Sequence, residues 1–269
     1  MLKNRLIVIR GGGDLASGIA YRLLKTGFQV IILEREQPIH VRRLVSFAQA
    51  VYNGEMLIEG IRSIKAESLN HLREILAEGH IPVLVNESGN SIPELQPDVV
   101  IDAILAKRNL GTLKDMAPLV IGVGPGFEAG MDVDVVIETK RGHFLGRVIW
   151  SGTAEKNTGI PGSVNGVTSR RVLRAATDGV VEPLKHVGDM VEEGELVARV
   201  AGQNARALAS GVIRGLINAG VHVPQGLKIG DIDPRGALQY CEMISDKALA
   251  VGGGVLEAIL SFNRVCWKK

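Results

Sequence analysis

The stretch Asp178–Val200, DGVVEPLKHVGDMVEEGELVARV, and the stretch Ser210–Ile232, SGVIRGLINAGVHVPQGLKIGDI, read as one motif written twice. At a constant offset of 32 and without a gap, Gly179 lies over Gly211, Val180 over Val212 and Leu184 over Leu216. The register continues with Gly188 over Gly220, Val191 over Val223 and Gly194 over Gly226. Glycines at turns with alternating apolar residues between them suit short strands joined by tight turns. Two copies are too few for a solenoid, so the repeat predicts a pseudo-two-fold β unit whose halves close over each other.

The pattern G-x-V…V-G-x-x-V-x-x-G-x-x-V in both copies resembles the barrel-sandwich fold of biotinyl and lipoyl domains. Those carriers hold a lysine on the hairpin between the halves. Here that connection is AGQNARALA, Ala201–Ala209, which has no lysine. The reading is therefore a scaffold or docking surface, with neither biotin nor lipoate attached.

Upstream, the apolar run Leu6–Ile9 predicts a buried parallel strand. It feeds Arg10 and then Gly11-Gly12-Gly13-Asp14-Leu15-Ala16, after which Ile19, Leu23 and Leu24 mark one face of a helix. A second strand, Phe28–Leu33, ends at Glu34. Such a strand–glycine turn–helix–strand unit, with G-x-G-x-x-A at its turn, suits a dinucleotide. Glycines let the backbone approach a diphosphate, and the helix N-terminus favours its charge. Glu34 falls where a ribose hydroxyl would be bound. Arg10 and Arg35 flank the unit and could favour an additional phosphate; a plain βα turn without ligand is the alternative.

Farther on, Asn53-Gly54 between short apolar runs predicts a hairpin. The strand Val99–Leu105 delivers Lys107, Arg108 and Asn109 to the strand ends, where open α/β sheets bind ligands. The turn Gly124-Pro125-Gly126-Phe127 offers free backbone N–H groups to an anion. Polar residues then crowd together, among them Asp132, Asp134, Glu138, Arg141 and His143; the last carries an imidazole suited to acid–base work. No HxxxH or CxxC spacing supports a metal site. Cys241 has no neighbour that would activate it, so a buried inert thiol is expected. Ser245 predicts the start of a helix that Gly252-Gly253-Gly254 would break before a terminal helix, Val255–Phe262.

The 269 residues allow one large or two modest domains. A net charge of +2 with only 5 Phe, 3 Tyr and 2 Trp argues against a nucleic-acid partner. Nothing approaches the roughly 20 apolar residues of a membrane span. The start MLKNRLIVIRGGG lacks the apolar run of a signal peptide. Cys241 and Cys266 form no CxxC, so the expected address is the cytoplasm.

Several segments together carry a resemblance: RGGGDLASGIAYRL, REQPIHVRRLVSFAQAVYNGE, IDAILAKRN, GVGPGFEAGMDVDVVIETKRGHFLGRVI, NTGIPG, the repeat, and ISDKALAVGGGVLEAIL. They resemble the bacterial YqeB-type proteins of the selenium-dependent molybdenum hydroxylase system, over nearly the whole chain. That family is distantly similar to the xanthine dehydrogenase accessory proteins of the XdhC type. The resemblance implies a maturation or accessory protein that prepares or delivers a molybdopterin dinucleotide-like cofactor. Its implied partners are a molybdenum hydroxylase or other maturation proteins, with assembly into a homo-oligomer left open. On this reading Gly11, Gly13 and Ala16 line the diphosphate, with Lys107 and the Gly124–Phe127 turn on the remaining anion. Two rivals remain: an NAD(P)-dependent oxidoreductase built on the same fingerprint, and a non-catalytic scaffold that docks a hydroxylase.

The expected fold class is α/β, a Rossmann-like parallel sheet with a C-terminal barrel-sandwich unit. The expected division is a nucleotide-binding region over 1–120, a central β-rich segment and linker over 121–170, the barrel-sandwich unit over 171–236 and a helical closure over 237–269.

Overall fold

The computed structural model describes residues 4–159 and 162–266, with side chains of the last helix to Phe262. Ile160 and Pro161, in the expected NTGIPG linker, lie outside the described residues. The chain forms two compact units, one of Met1–Pro38, Phe47–Asn157 and Ile244–Lys269, the other of Ile39–Ser46 and Thr158–Met243.

In the first unit the apolar runs become strands: β1 (Leu6–Arg10), β2 (Gln29–Glu34), β3 (Glu55–Ile58), β4 (Ile61–Ala66), β5 (Ile81–Val85), β6 (Val99–Asp102) and β7 (Leu119–Val123). A short β8 (Glu128–Ala129) precedes β9 (Val135–Ile137) and β10 (Val148–Ile149), and β11 (Gly152–Thr153) pairs with β8. One sheet of nine strands results, in the order β10-β9-β7-β6-β1-β2-β5-β4-β3. From β9 to β4 neighbours run parallel, while β10 and β3 close the two edges antiparallel.

Strand alternation sorts the core into two layers. Ile7, Ile9, Val30, Ile32, Ile101 and Ile121 face helices α1 (Asp14–Lys25) and α6 (Asp246–Cys266). Val8, Ile31, Leu33, Val100 and Val120 face the opposite layer, with Leu72 and Ile75 of α3 (Leu69–Ala77). The unbroken apolar strands are thus those of a sheet covered on both faces. Helix α3 starts where the Ser68 hydroxyl accepts the His71 N–H at 3.1 Å, a side-chain cap.

Two local expectations change. Asn53-Gly54 does not turn a hairpin: it ends a short helix, α2 (Ala50–Asn53), with Gly54 at φ +82°. The β3–β4 turn is Glu59-Gly60, both at positive φ. Asn-Gly serves equally as a helix C-terminal cap, so the dipeptide alone could not choose. Likewise Gly252–Gly254 do not break α6, which runs through them. A Cβ on Gly252 would sit 2.8 Å from the Gly18 carbonyl oxygen of α1, and one on Gly254 would run into the Gly146 carbonyl. Three glycines cost a helix about 3 kcal/mol against alanine; close backbone packing on two sides offsets it.

The second unit contains the repeat. Its strands are β12 (Val172–Arg174), β13 (Gly179–Pro183), β14 (Met190–Val191), β15 (Leu196–Val200), β16 (Gln203–Arg206), β17 (Gly211–Leu216), β18 (His222–Val223) and β19 (Lys228–Asp233). They form two four-stranded sheets, β12-β19-β17-β14 and β16-β15-β13-β18. The copies exchange their short strands: Gly179 pairs with Val223 and Val180 with His222, while Val191 pairs with Gly211 and Met190 with Val212.

The expected fold class is corrected on both counts. The large sheet is mixed, because hairpins add antiparallel strands at its edges, rather than a Rossmann-like parallel sheet. The repeat does not form a C-terminal barrel-sandwich unit. It is distributed over two antiparallel four-stranded sheets that recruit β12 and β16, and the chain continues past it into α6 of the first unit. The boundaries expected at 120, 170 and 236 do not coincide with the two units. Strands β7 and β9 continue the first sheet, and the apolar stripe of α6 packs on α1.

Candidate functional site

The order of the large sheet reverses at β1: β2 follows on one side, and β6 returns on the other. Loops leaving the carboxyl ends of strands on either side of such a switch form a crevice. Gly11, at φ +89°, turns the chain out of β1, its N–H donating to the Leu33 carbonyl at 2.8 Å. A Cβ there would lie 3.0–3.1 Å from the Ala103–Ile104 backbone, so the glycine brings the two loops together. Gly13 is the N-cap of α1, with no side-chain capping bond, and a Cβ on it would meet nothing within 4 Å. Asp14, Leu15 and Ala16 open the helix, whose first N–H groups have no intrahelical acceptor and carry its positive end.

Other expected ligand residues bind the protein itself. The Glu34 carboxylate accepts the Gly12 N–H at 2.8 Å and the Arg35 N–H at 2.9 Å, so it braces the glycine turn. Burial pushes its pKa up, against these two bonds and the Arg35 charge. Arg10 is buried. Its guanidinium donates to the Thr112 hydroxyl and, at 3.4 Å, to the Glu87 and Leu110 carbonyls, with the Asp102 carboxylate 3.6 Å away. Thr112 in turn donates to Asp102 at 2.5 Å. Burial raises the Asp102 pKa, although Thr112, the Ile104 N–H and Arg10 favour its charged form. Asn109 closes the same loop, exchanging bonds of 2.7 and 2.8 Å with the Thr112 backbone.

Lys107 is exposed at the rim, at φ +63°. The turn carrying Gly124 and Gly126 lies against this loop: a Cβ on Gly126 would be 2.6 Å from the Arg108 nitrogen. Phe127, expected at the ligand, is instead buried in the core, packed over Gly122.

Beyond β9, the buried Glu138 carboxylate accepts the N–H groups of Thr139, Lys140 and Glu155, each at 2.7 Å, and so fixes the local backbone. Arg141 grips Asp246 with two bonds of 2.7 and 2.9 Å. His143 is exposed and rests edge-on against Phe144, with ring centres 5.2 Å apart. Cys241 belongs to the other unit, buried with its sulfur 3.8 Å from the Ile213 carbonyl and its pKa pushed up by burial.

Lys247 escaped the sequence reading. It sits in the first turn of α6, beside Asp246, which Arg141 holds, and Ala248, which packs against Gly18 of α1. Burial pushes its amine below the usual lysine range; Asp14, Glu138 and Asp246 oppose that shift and Arg141 reinforces it. The available signal was a lysine in a first helical turn, where the dipole disfavours a cation.

Among the described residues, no group of three or more His, Cys, Asp or Glu is placed to hold a metal ion. No helix among them is long and apolar enough to cross a membrane.

No family model matches the chain. Among solved structures it is similar to an aspartoacylase family protein from Mesorhizobium loti MAFF303099, at 12% identity and a TM-score of 0.25, covering 86% of this chain and 85% of that one. It is also similar to a succinylglutamate desuccinylase/aspartoacylase from Rhodobacter sphaeroides, at 12% identity and a TM-score of 0.27, with the same coverage of both chains. Among curated proteins it is 50% identical over 257 residues to YqeB of Escherichia coli (strain K12), covering 96% of this chain and 48% of that protein. The chain thus spans about half the length of the curated relative it matches. Half of its residues being identical over nearly its whole length, the chain is YqeB-like, as its motifs suggested.

Proposed function

We propose that this chain binds a nucleotide-type cofactor of the molybdopterin dinucleotide class, and that it acts as an accessory protein preparing or delivering that cofactor to a molybdenum hydroxylase. The carrying observation is the uncapped start of α1, with room for a ligand at Gly13. The residues fit the anionic part of such a group. Unpaired helical N–H groups and the dipole favour a diphosphate, and Lys247 adds a desolvated cation nearby. The bound group would supply the metal–pterin chemistry of the receiving enzyme; the chain's part is to hold its diphosphate. Glu34 serves this as a brace of the turn, in place of the ribose contact the spacing suggested. The YqeB-type resemblance supports the maturation setting.

Gly13→Asp tests it. Gly13 has an ordinary φ of −68° and open space around it, so the fold accepts a side chain there. An aspartate at an N-cap even stabilises a helix relative to glycine, by a few tenths of a kcal/mol. The variant should melt no lower than the parent yet lose about 100-fold or more in cofactor affinity by calorimetry, since its carboxylate takes the anion's place. Unchanged affinity would sink the assignment.

A further inference from the structure

The turn that follows β5, in which the Asn86 amide nitrogen donates to Asn90 Oδ1 at 2.6 Å, still carries shielded polar atoms without a partner among the described residues. Arg35 and Asn86 are the first residues beyond the paired ends of β2 and β5, where Glu34 faces Val85. The Asn86 N–H donates to the Glu34 carbonyl at 2.8 Å, which ties this turn to the residue bracing the glycine loop. The chain then coils tightly: Gly89 N–H bonds the Asn86 carbonyl at 3.3 Å and Ile92 N–H the Gly89 carbonyl at 3.0 Å. Ser91, 9% exposed, ends the turn at the start of α4 (Ile92–Leu95), without a side-chain capping bond. Arg35 Nε, Asn86 Oδ1 and Ser91 Oγ are shut off from solvent and have no hydrogen-bond partner among the described residues. Shielded polar atoms left unpaired destabilise a protein, so such groups ordinarily have a partner.

Resting on the diphosphate reading above, we infer that Arg35 and the Asn86–Ser91 turn form a second subsite, which takes the nucleoside end of the ligand. Its donor and acceptor set decides the chemistry. Asn86 Oδ1 can only accept, so its partner must carry an O–H or N–H, as a sugar hydroxyl or a base amine does. Arg35 Nε can only donate, and the Ser91 hydroxyl does either. A phosphate fully ionised offers acceptors alone and leaves Asn86 Oδ1 unmatched. The subsite therefore calls for a hydroxyl or amine donor beside Asn86 Oδ1, which a sugar or base supplies and a phosphate alone does not.

Calorimetry on the full chain, with cytidine diphosphate and inorganic pyrophosphate as probes, tests this. The parent should bind the nucleotide about tenfold tighter than pyrophosphate, the scale of one or two net hydrogen bonds. Ser91→Ala and Asn86→Ala should each erase most of that preference while leaving pyrophosphate affinity unchanged. Ser91→Ala should not melt lower, because its hydroxyl holds no partner in the protein. Equal binding of the two probes by the parent overturns the subsite and spares the diphosphate reading, as does an undiminished preference in both variants. Loss of both affinities in parallel with a lower melting temperature identifies a structural role and overturns it too. Binding of neither probe removes the subsite together with the diphosphate reading.

Discussion

The repeat and the strand-end crevice treat their polar groups in opposite ways. In the unit that holds the repeat, Asp231 is paired with Arg171 at 2.5 Å and Lys228 at 2.8 Å. Asp233 is held by Arg235 at 2.6 Å, with Arg214 at 3.7 Å. Among the described residues from 158 to 243, no shielded side-chain polar atom is left without a partner, whereas in the segment 39–46 of the same unit Arg43 Nε is. The crevice keeps an uncapped helix start, a desolvated Lys247 amine and three shielded, unpartnered atoms. A region that only has to fold pairs its polar groups; one that waits for a ligand leaves some unpaired. The more conspicuous motif is therefore the better paired, and the less conspicuous turn carries the proposed chemistry.

Substitutions can break that contrast. The largest effect is expected where crevice loops meet backbone to backbone. Gly126→Val, at φ +115° and with the Arg108 nitrogen 2.6 Å from the new Cβ, should cost about 3 kcal/mol or more in chemical denaturation. Gly226→Ala in the repeat, at φ +79° in open space, should cost only about 1 kcal/mol. Equal costs would mean that the crevice loops are not held as tightly as their contacts imply.

A smaller effect is expected from Lys247→Met. It should weaken pyrophosphate binding about tenfold, the scale of one charge-assisted hydrogen bond, without lowering the melting temperature at neutral pH. The amine's lowered pKa means that its ionisation penalises the folded state until pH rises through the folded value toward the usual 10.5. A marked loss of stability at neutral pH would assign the lysine to the fold.

The smallest effects are pH slopes of opposite sign. Burial raises Glu34, so the stability linked to its protonation is full below about the ordinary 4.5 and is lost as pH rises toward the folded value. Burial alone would raise Asp233 as well, but the Arg235 bonds and the Arg214 charge outweigh it and hold its pKa below 3.8. Its contribution is present above that value and disappears as pH falls through the folded one. Glu34→Gln should flatten the decline above pH 4.5, and Asp233→Asn the loss in acid, in melting curves across pH. The reverse pattern would refute the contrast.

How legible this was depended on the range of the signal. Apolar runs such as Leu6–Ile9 and Phe28–Leu33 foretold β1 and β2, because periodicity is local. The repeat foretold short strands and turns but not their partners: its copies exchange strands between two antiparallel sheets, a pairing that the offset of 32 alone does not specify. Gly252–Gly254 were read as a break, since nothing local reveals that Gly18 and Gly146 press against them. Glu34 and Arg10 stood at the right spacing but bind the protein, a choice made by Gly12, Asp102 and Thr112 across the sheet. Asn86, Ser91 and Lys247 went unnoticed because an unpaired atom is visible only once its surroundings are known.

The most direct test is a thermal-shift comparison of the parent and Gly13→Asp with molybdopterin dinucleotide, cytidine nucleotides, NAD(H) and NADP(H). A ligand of the folded state raises the melting temperature by mass action. The account predicts stabilisation of the parent by the pterin and cytidine compounds and none of the variant. Stabilisation by NAD(P) alone, or an equal shift in parent and variant, would contradict it.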